Sequence, residues 1–221
     1  MNVILSPMEA RVLGCLIEKS ITTPEYYPLA LSALTAACTQ KSNRDPIIQT
    51  DEKEVVRALD SLREKKLASS VVLANSRSQK YRHNILDLLA LTPRQLALLC
   101  ELVLRGPQTT GELRTHAARM APFTDTTAVQ SVLNELAAWE GGPLVSKFPR
   151  QIGQREERYG HRLCGAIPDE AQVSQPSLEP ARLAVIAENE RIAAMEIRVA
   201  AFGDELERLK AQFSDFVKQF Q

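Results

Sequence analysis

The apolar positions near the start of the chain repeat at helical spacing, and the same pattern returns 86 residues later. Residues 6–9 read Ser-Pro-Met-Glu, and residues 92–95 read Thr-Pro-Arg-Gln. Both are helix starts with a hydroxyl N-cap, a proline at the first position and Glu or Gln at the third. The repetition predicts two equivalent helices and an internal duplication. The apolar faces that follow are Val12, Leu13, Leu16 and Ile17 in one copy, and Leu98, Leu99, Leu102 and Val103 in the other.

The duplication extends through two further helices in each copy. Thr-rich helix starts follow at residues 22–25 and 109–112. The third helices align at an offset of 77, which matches Trp139 to the core position of Leu62 and predicts a packing role for this tryptophan. The change of offset from 86 to 77 predicts nine extra residues in the first copy, near residues 39–46. The aligned apolar residues are Val55, Val56, Leu59, Leu62 and Leu67 with Val132, Leu133, Leu136, Trp139 and Leu144.

Each third helix is followed by a strand, a polar turn and a second strand. In the first copy the strands fall near residues 68–73 and 81–84, and in the second near 144–148 and 158–163. Strand, charged turn and strand is a hairpin signal. Three helices followed by a hairpin are the winged variant of the helix-turn-helix. The sequence therefore predicts a mainly α protein with small β-hairpins and two tandem winged helix-turn-helix domains, residues 1–88 and 89–165.

The composition changes after Gly165. Residues 166–180 hold three prolines and no apolar periodicity, so they read as a linker. Residues 181–221 carry an apolar seam at alternating steps of three and four, which predicts an amphipathic coiled-coil helix and self-association into a dimer. The seam residues are Ile192, Met195, Val199, Phe202, Leu206, Leu209, Phe213, Phe216 and Phe220.

The net charge of the whole chain is zero, but the charges of its separate regions differ. The chain has 27 basic and 27 acidic side chains, which excludes a polycation that coats nucleic acid everywhere. Residues 1–90 and 91–165 each carry a net charge of +2, whereas residues 166–221 carry −4. No run of 18 uncharged apolar residues and no signal peptide is visible, so we expect a cytoplasmic protein with no membrane partner.

Basic clusters in and around the predicted wings suggest contacts with duplex DNA. Affinity for DNA depends on the phosphates that Lys and Arg neutralise, and wings lie beside a docked recognition helix. Four further arginines, Arg150, Arg155, Arg158 and Arg162, surround the second wing. The predicted backbone contacts are Lys41, Arg44, Arg77, Lys80 and Arg82, and the predicted base readers are Arg57, Gln130 and Asn134.

No pattern of catalysis or of cofactor binding is found. The chain lacks GxGxxG, P-loop, HExxH and GxSxG motifs, so we expect no enzyme, no catalytic residue and no cofactor. Four cysteines lie far apart, three of them in apolar helical patterns, as expected for reduced core residues. A zinc site built on His161 and Cys164 is the alternative, but structural zinc normally shows two close ligand pairs, so we expect no metal.

Three segments resemble a known family: residues 41–46 (Lys-Ser-Asn-Arg-Asp-Pro), residues 80–83 (Lys-Tyr-Arg-His) and residues 113–120. They are similar to the YceH-like bacterial proteins of uncharacterised function, over roughly residues 3–165. The resemblance implies a tandem winged-helix fold. It implies no activity, cofactor or residue role.

Two functions remain open from the sequence. The first is a non-catalytic DNA-binding protein acting as a transcriptional regulator, because two modules on a coiled-coil dimer give four linked contacts. The alternative is a protein–protein docking module without DNA binding, because a net charge of +2 per module is low and the fold alone does not decide. Residues 51–54 read Asp-Glu-Lys-Glu; these carboxylates either repel phosphate or only cap the helix.

Overall fold

The structure is a computed structural model that describes residues 4–72, 79–148 and 156–165, together with Met195. The chain divides into two compact units, Met1–Ile167 and Pro168–Gln221, and the elements below belong to the first. The predicted linker (166–180) and coiled coil (181–221) lie outside the described residues, apart from Met195. Within the described ranges, no helix is both long enough and apolar enough to cross a bilayer.

The described part is mainly helical and contains two small antiparallel sheets, each preceded by three helices. The first repeat contains α1 (Pro7–Thr22), a 3₁₀ helix (Pro24–Tyr26), β1 (Leu29–Ala30), α2 (Leu31–Cys38), α3 (Glu52–Glu64), β2 (Ala68–Val72) and β3 (Gln79–His83). A short helix, α4 (Ile85–Leu88), leads to the second repeat. That repeat contains α5 (Pro93–Arg105), α6 (Thr110–Ala117), α7 (Thr126–Ala137), β4 (Val145–Phe148) and β5 (Arg158–His161).

The predicted starts of the first helix in each repeat are confirmed. The Ser6 hydroxyl accepts a hydrogen bond from the Glu9 amide, and the Glu9 carboxylate accepts one from the Ser6 amide at 2.6 Å. Thr92 and Gln95 form the same reciprocal pair at the start of α5. Each reciprocal pair is a capping box, and it supplies acceptors to two backbone amides that the start of a helix leaves without partners. The local sequence therefore fixes where both helices begin.

Both hairpins are also present as predicted. Strand β3 pairs with β2 and with β1, in the order β1-β3-β2, and Leu29 lies opposite Tyr81. Strand β4 pairs with β5, and the isolated bridge between Gln108 and Tyr159 corresponds to the Leu29–Tyr81 pair of the first repeat. The two sheets therefore share one plan, in which the residues before the second helix pair with the returning strand of the hairpin.

The two repeats share a continuous hydrophobic core. Helix α1 packs on α5, and a Cβ atom added to Gly14 would lie 2.8 Å from the Leu104 Cδ2 atom. The Cys100 thiol, one repeat away, donates to the Gly14 carbonyl at 3.4 Å. Residues 1–88 and 89–165 therefore pack as two halves of one compact unit around this contact.

The structure corrects the alignment of the third helices. The N-caps Asp51 and Asp125 are 74 residues apart, and each accepts a hydrogen bond from the amide three residues on. The fully buried Leu62 therefore corresponds to the fully buried Leu136. Trp139, one turn later, is only half-buried against the core. The sequence alignment was wrong because leucines three residues apart both continue a helical apolar pattern.

The extra residues of the first repeat are also distributed differently from the prediction. The segment between the first and second helices is longer in repeat one, because residues 22–25 lead into the 3₁₀ helix and α2 begins only at Leu31. In repeat two, Thr109 directly caps α6. The other extra residues lie between α2 and α3, the region around residues 39–46 in which the sequence placed all nine. We call residues 39–46 the insertion.

Candidate nucleic-acid interface

Helix α3 buries one face and presents a charged one. Val55, Leu59 and Leu62 lie in the core, whereas Lys53 and Arg57, one turn apart, are exposed. Arg57 also borders an open groove of about 490 Å³ with Met8 and Ser61. The same helix carries carboxylates at its cap and along its length, so its exposed surface is mixed rather than basic. These are Asp51, Glu52, Glu54, Asp60 and Glu64.

The outward face of the first hairpin carries two cations. Along β3 the residues alternate, so Tyr81 and His83 face α1 and the core while Lys80 and Arg82 face away from it. The Arg82 Nε atom donates to the Ser69 hydroxyl at 3.1 Å, which orients the guanidinium along the sheet. Among the described residues, neither Lys80 nor Arg82 has an ion pair. Lys80 is half-buried and Arg82 is exposed, and two cations two residues apart on the outward face suit contacts with successive phosphates.

Among its described residues, the second hairpin lacks the unpaired cations that the first hairpin carries on its outward face. Arg158 occupies the position of Lys80, but its guanidinium donates to the Pro107 carbonyl at 2.8 Å and to Glu112 at 3.0 Å. Gly160 occupies the position of Arg82, and a Cβ atom there would lie 2.3 Å from the Phe148 ring. Phe148 thus covers the strand where repeat one exposes an arginine. On the outward face of β5, Arg158 is therefore paired within the protein and Gly160 lies under the Phe148 ring, so this face presents no unpaired cation among the described residues.

Helix α7 presents uncharged polar groups that are partly used inside the repeat. The Gln130 carbonyl oxygen accepts from the Tyr159 hydroxyl at 2.9 Å, and its amide donates to the Asn134 carbonyl oxygen at 2.9 Å. Gln130 therefore fixes the hairpin to the helix. Asn134 is exposed and keeps its amide donors available. Of the two predicted base readers on α7, only Asn134 has the freedom that base reading requires.

Arg44 is a correction to the predicted interface. Its side chain has no exposed surface and forms an ion pair with Glu18, which is also buried. Its guanidinium further donates to the carbonyls of Ala37 and Asn43. A phosphate has no access to this group. Sequence reasoning placed Arg44 on the surface because it lies in a polar segment, whereas the segment folds inward and uses the arginine to hold itself against α1.

The remaining residues of that prediction have separate locations. Lys41, at the start of the insertion, is exposed and has no ion pair among the described residues. Arg77 lies outside the described residues. Lys41 also lines a polar cavity at the junction of the two repeats, which is separate from the faces of α3 and β3.

A buried charge network that the sequence did not reveal joins the two repeats. Arg119, which follows α6, donates to Glu18 of α1 at 2.5 Å and to Glu101 of α5 at 2.7 Å. Burial alone would raise the pKa of Glu18, but hydrogen bonds and charges of Arg44 and Arg119 lower it below its ordinary value. The available signal was Glu101 itself, a charge inside the apolar run of residues 98–104.

Each repeat places one histidine at the end of its returning strand. His83 forms a hydrogen bond at Nε2 with the Ser20 hydroxyl at 3.0 Å, and its buried Nδ1 has no hydrogen-bond partner among the described residues. Burial first, and then the nearby Arg82 charge, lowers the pKa of His83 to about 4. Burial likewise lowers the pKa of His161 to about 4. Both rings are therefore neutral at pH 7 and act as packing residues.

The cysteines follow the same division between core and surface. Cys15, Cys38 and Cys100 are free and buried in helices α1, α2 and α5, as predicted for small apolar residues. Cys164 is free and exposed. Among the described residues, no group of three or more His, Cys, Asp or Glu side chains is arranged to hold a metal ion.

These observations define a class of protein: a duplicated, mainly helical unit with an antiparallel hairpin after each helical triplet and a basic face on the first hairpin. The chain belongs to a bacterial family whose model, described as "Protein of unknown function, DUF480", matches residues 5–154. It is 52% identical, over all 221 residues and the whole of the relative, to the UPF0502 protein of Geotalea uraniireducens. It is 50% identical over the same extent to a UPF0502 protein of Geobacter sulfurreducens. A Vibrio atlanticus relative is 43% identical, with 96% of this chain and 97% of the relative covered.

Proposed function

We propose that the protein is a non-catalytic DNA-binding regulator built from two tandem winged helices, in which the first repeat makes the principal contact with the phosphate backbone. The observation that carries this proposal is the outward pair Lys80 and Arg82 on β3. Both are cations without an ion pair among the described residues, on a strand that returns beside the helical triplet. Phosphate contacts supply most of the affinity of such modules and set their orientation.

Helix α3 and helix α7 would then contribute differently. Lys53 and Arg57 would add two exposed cations from the mixed surface of α3. Asn134 offers free amide donors to base edges, whereas Gln130 is engaged with Tyr159. We therefore expect sequence preference to be weak and to depend more on Arg57 and Asn134 than on Gln130.

The test is the salt dependence of binding to a random duplex. The slope of log K against log salt is about −0.9 per phosphate contact, so removing two contacts reduces it by about 2. Lys80→Gln with Arg82→Gln keeps the aliphatic stems and removes both charges. We expect fluorescence polarisation between roughly 50 and 200 mM salt to show weaker binding and the flatter slope.

A matched control removes two exposed charges elsewhere. Lys66→Gln with Arg114→Gln changes the net charge by the same amount, and both side chains are exposed outside the proposed face. Its slope should equal that of the unmodified protein. Equal losses in both double variants would show that net charge, rather than the β3 face, attracts the duplex, and this would contradict the proposal.

Protein–protein docking is the second candidate, and the acidic residues of α3 favour it. Five carboxylates against three cations over residues 51–64 give this helix a poor match to phosphate. If the unmodified protein shows no binding to duplex at about 50 mM salt, docking is the better proposal.

We also propose that residues 181–221 associate with a second copy of the chain. The support for this proposal is the apolar seam in the sequence, which recurs at alternating steps of three and four from Ile192 to Phe220. Leu206→Lys with Leu209→Lys should convert a dimer into a monomer in light scattering, whereas Glu205→Lys with Arg208→Glu should not. A mass unchanged by the seam substitutions would contradict the proposal.

A further inference from the structure

The insertion of the first repeat closes a polar cavity against the second repeat. The cavity has a volume of about 330 Å³, within the range of small-molecule sites. Its charged and titratable wall residues include Lys41, Asp45, Arg105, Glu112, His116 and Arg158. Lys41 and Asp45 come from the insertion and the others from α5, α6 and β5, so neither repeat forms this cavity alone.

Two of the basic groups in the wall are held in place by the protein. Arg158 is fixed by Glu112 and by the Pro107 carbonyl, and Arg105 donates to Asn43 and pairs with Glu101. A guanidinium has five N–H donors, and these contacts leave some of them unused. Because these side chains are already ordered, they lose less conformational entropy when a ligand binds, so the wall is suited to a group with several acceptor oxygens.

The charges around the cavity do not balance. Glu101 serves both Arg105 and Arg119, and Glu18 serves both Arg44 and Arg119. The Glu112 carboxylate is occupied by Arg158 and by the Thr109 amide. Counting the wall and the network behind it, five cations face four carboxylates, and the net charge is positive. They are Lys41, Arg44, Arg105, Arg119 and Arg158 against Glu18, Asp45, Glu101 and Glu112.

His116 contributes to the cavity wall a ring nitrogen that can gain or lose a proton. The Gln108 amide donates to the Glu101 and Gly106 carbonyls, which leaves its oxygen to accept from His116 Nδ1 at 2.6 Å. Nδ1 is thus a donor, and Nε2 is the nitrogen that titrates. Burial, and then the charge of Arg105 with a smaller contribution from Arg119, lowers the pKa of His116, while Glu101 and Glu112 oppose this shift.

We propose that this cavity binds a small phosphate-bearing molecule, with Lys41, His116 and Arg158 contacting the phosphate oxygens. The proposal does not depend on DNA binding, because the cavity lies apart from the outward face of β3. A ligand there would contact the insertion and the second repeat together and so stabilise their junction.

Isothermal titration of the full chain with inorganic phosphate and with ribose 5-phosphate tests this proposal, with sodium chloride holding the ionic strength constant. We expect saturable binding of one ligand per chain. Lys41→Gln should weaken it about tenfold, because a charge-assisted hydrogen bond is lost. Lys66→Gln, at an exposed lysine that follows α3 and lies outside both proposed sites, is the matched control and should bind as the unmodified protein does.

A second measurement reports the site directly. The NMR titration of the three histidines should show the pKa of His116 rising when phosphate is present, because an anion stabilises the imidazolium, while those of His83 and His161 do not move. Absence of saturation, an equal effect of Lys41→Gln and Lys66→Gln, or an unchanged pKa of His116 would overturn the proposal. Displacement of bound phosphate by a short duplex would also overturn it, because the backbone of DNA would then be the source of the phosphate.

Discussion

The two repeats keep the same interior and differ on the surfaces that meet other molecules. Tyr81 and Tyr159, and likewise His83 and His161, occupy equivalent inward positions on the returning strands. On the outward side, repeat one exposes Arg82 where repeat two has a glycine covered by Phe148. Both repeats have a net charge of +2, yet their hairpins present very different faces. Net charge by region is therefore a poor guide to a binding surface when arginines also serve as internal donors.

The insertion of the first repeat carries the second difference. Its arginine is buried against Glu18, and the Arg11 guanidinium donates to the Pro46 carbonyl at 2.6 Å. The amide of Asp45 donates to the Leu104 carbonyl of α5 at 2.9 Å. Repeat two connects the equivalent helices α6 and α7 by a shorter segment, residues 118–125. The insertion thus joins the two repeats. Substitutions at the contacts between the repeats, and at equivalent positions within them, test how far the repeats differ.

The largest effect is expected from Glu18→Ala. Removing this carboxylate leaves Arg44 buried and unpaired and takes one partner from Arg119, which costs about 3–5 kcal/mol of stability. Asp60→Ala, which breaks the exposed pair with Arg63, is the control and should cost less than about 1 kcal/mol. Urea unfolding measures both. Similar losses would mean that the insertion does not depend on its buried pair.

Acidification tests the equivalence of the two histidines. Their pKa is about 4 in the folded chain, against about 6.5 when unfolded, so the folded state disfavours the charged form. Their contribution to stability is complete above pH 6.5 and is lost as the pH falls from about 6.5 to 4. We expect about 1–3 kcal/mol from each ring, measured by urea unfolding across that range.

His83→Gln and His161→Gln test whether the two histidines are equivalent. Each substitution should reduce the pH dependence of stability by a similar amount. A flattening confined to one variant would show that the two returning strands are not energetically equivalent. No flattening in either variant would assign the acid sensitivity to other groups.

Gly14→Ala tests the contact between α1 and α5. The new methyl group would approach Leu104 and Val103 to within 3.0 Å or less, and overpacking of a core costs about 1–3 kcal/mol. Gly111→Ala is the matched control, because its Cβ atom would find no neighbour closer than the Thr109 Oγ1 atom at 3.9 Å. That change should leave thermal stability equal or higher, since alanine favours a helix. Destabilisation by both would mean that the α1–α5 contact is not specific.

The smallest effects are expected at the caps of the third helices. Asp51→Ala and Asp125→Ala each remove one hydrogen bond to an exposed first turn, and each should cost about 1 kcal/mol in urea unfolding. Equal costs would support the assignment of Asp51 and Asp125 as equivalent positions. A cost confined to one cap would contradict it.

Local sequence determined where the first helix of each repeat begins and which positions of that helix are buried. The capping boxes at Ser6 and Thr92 predicted the first helices, and the order strand, charged turn and strand predicted the hairpins, because capping and turn signals act over a few residues. The alignment of the third helices failed, since a helical apolar pattern fits equally well when it is moved by three residues.

The state of each charged side chain was decided by the tertiary structure. Arg44, Arg82 and Arg158 all lie in polar segments of similar appearance. Arg44 is buried in an ion pair, Arg82 is exposed with a hydrogen bond to Ser69, and Arg158 is paired with Glu112. Their partners are 26, 13 and 46 residues away in the chain, so no local pattern reveals them. Short-range rules specify helices and strands, whereas the availability of a cation depends on which distant oxygen the fold brings to it.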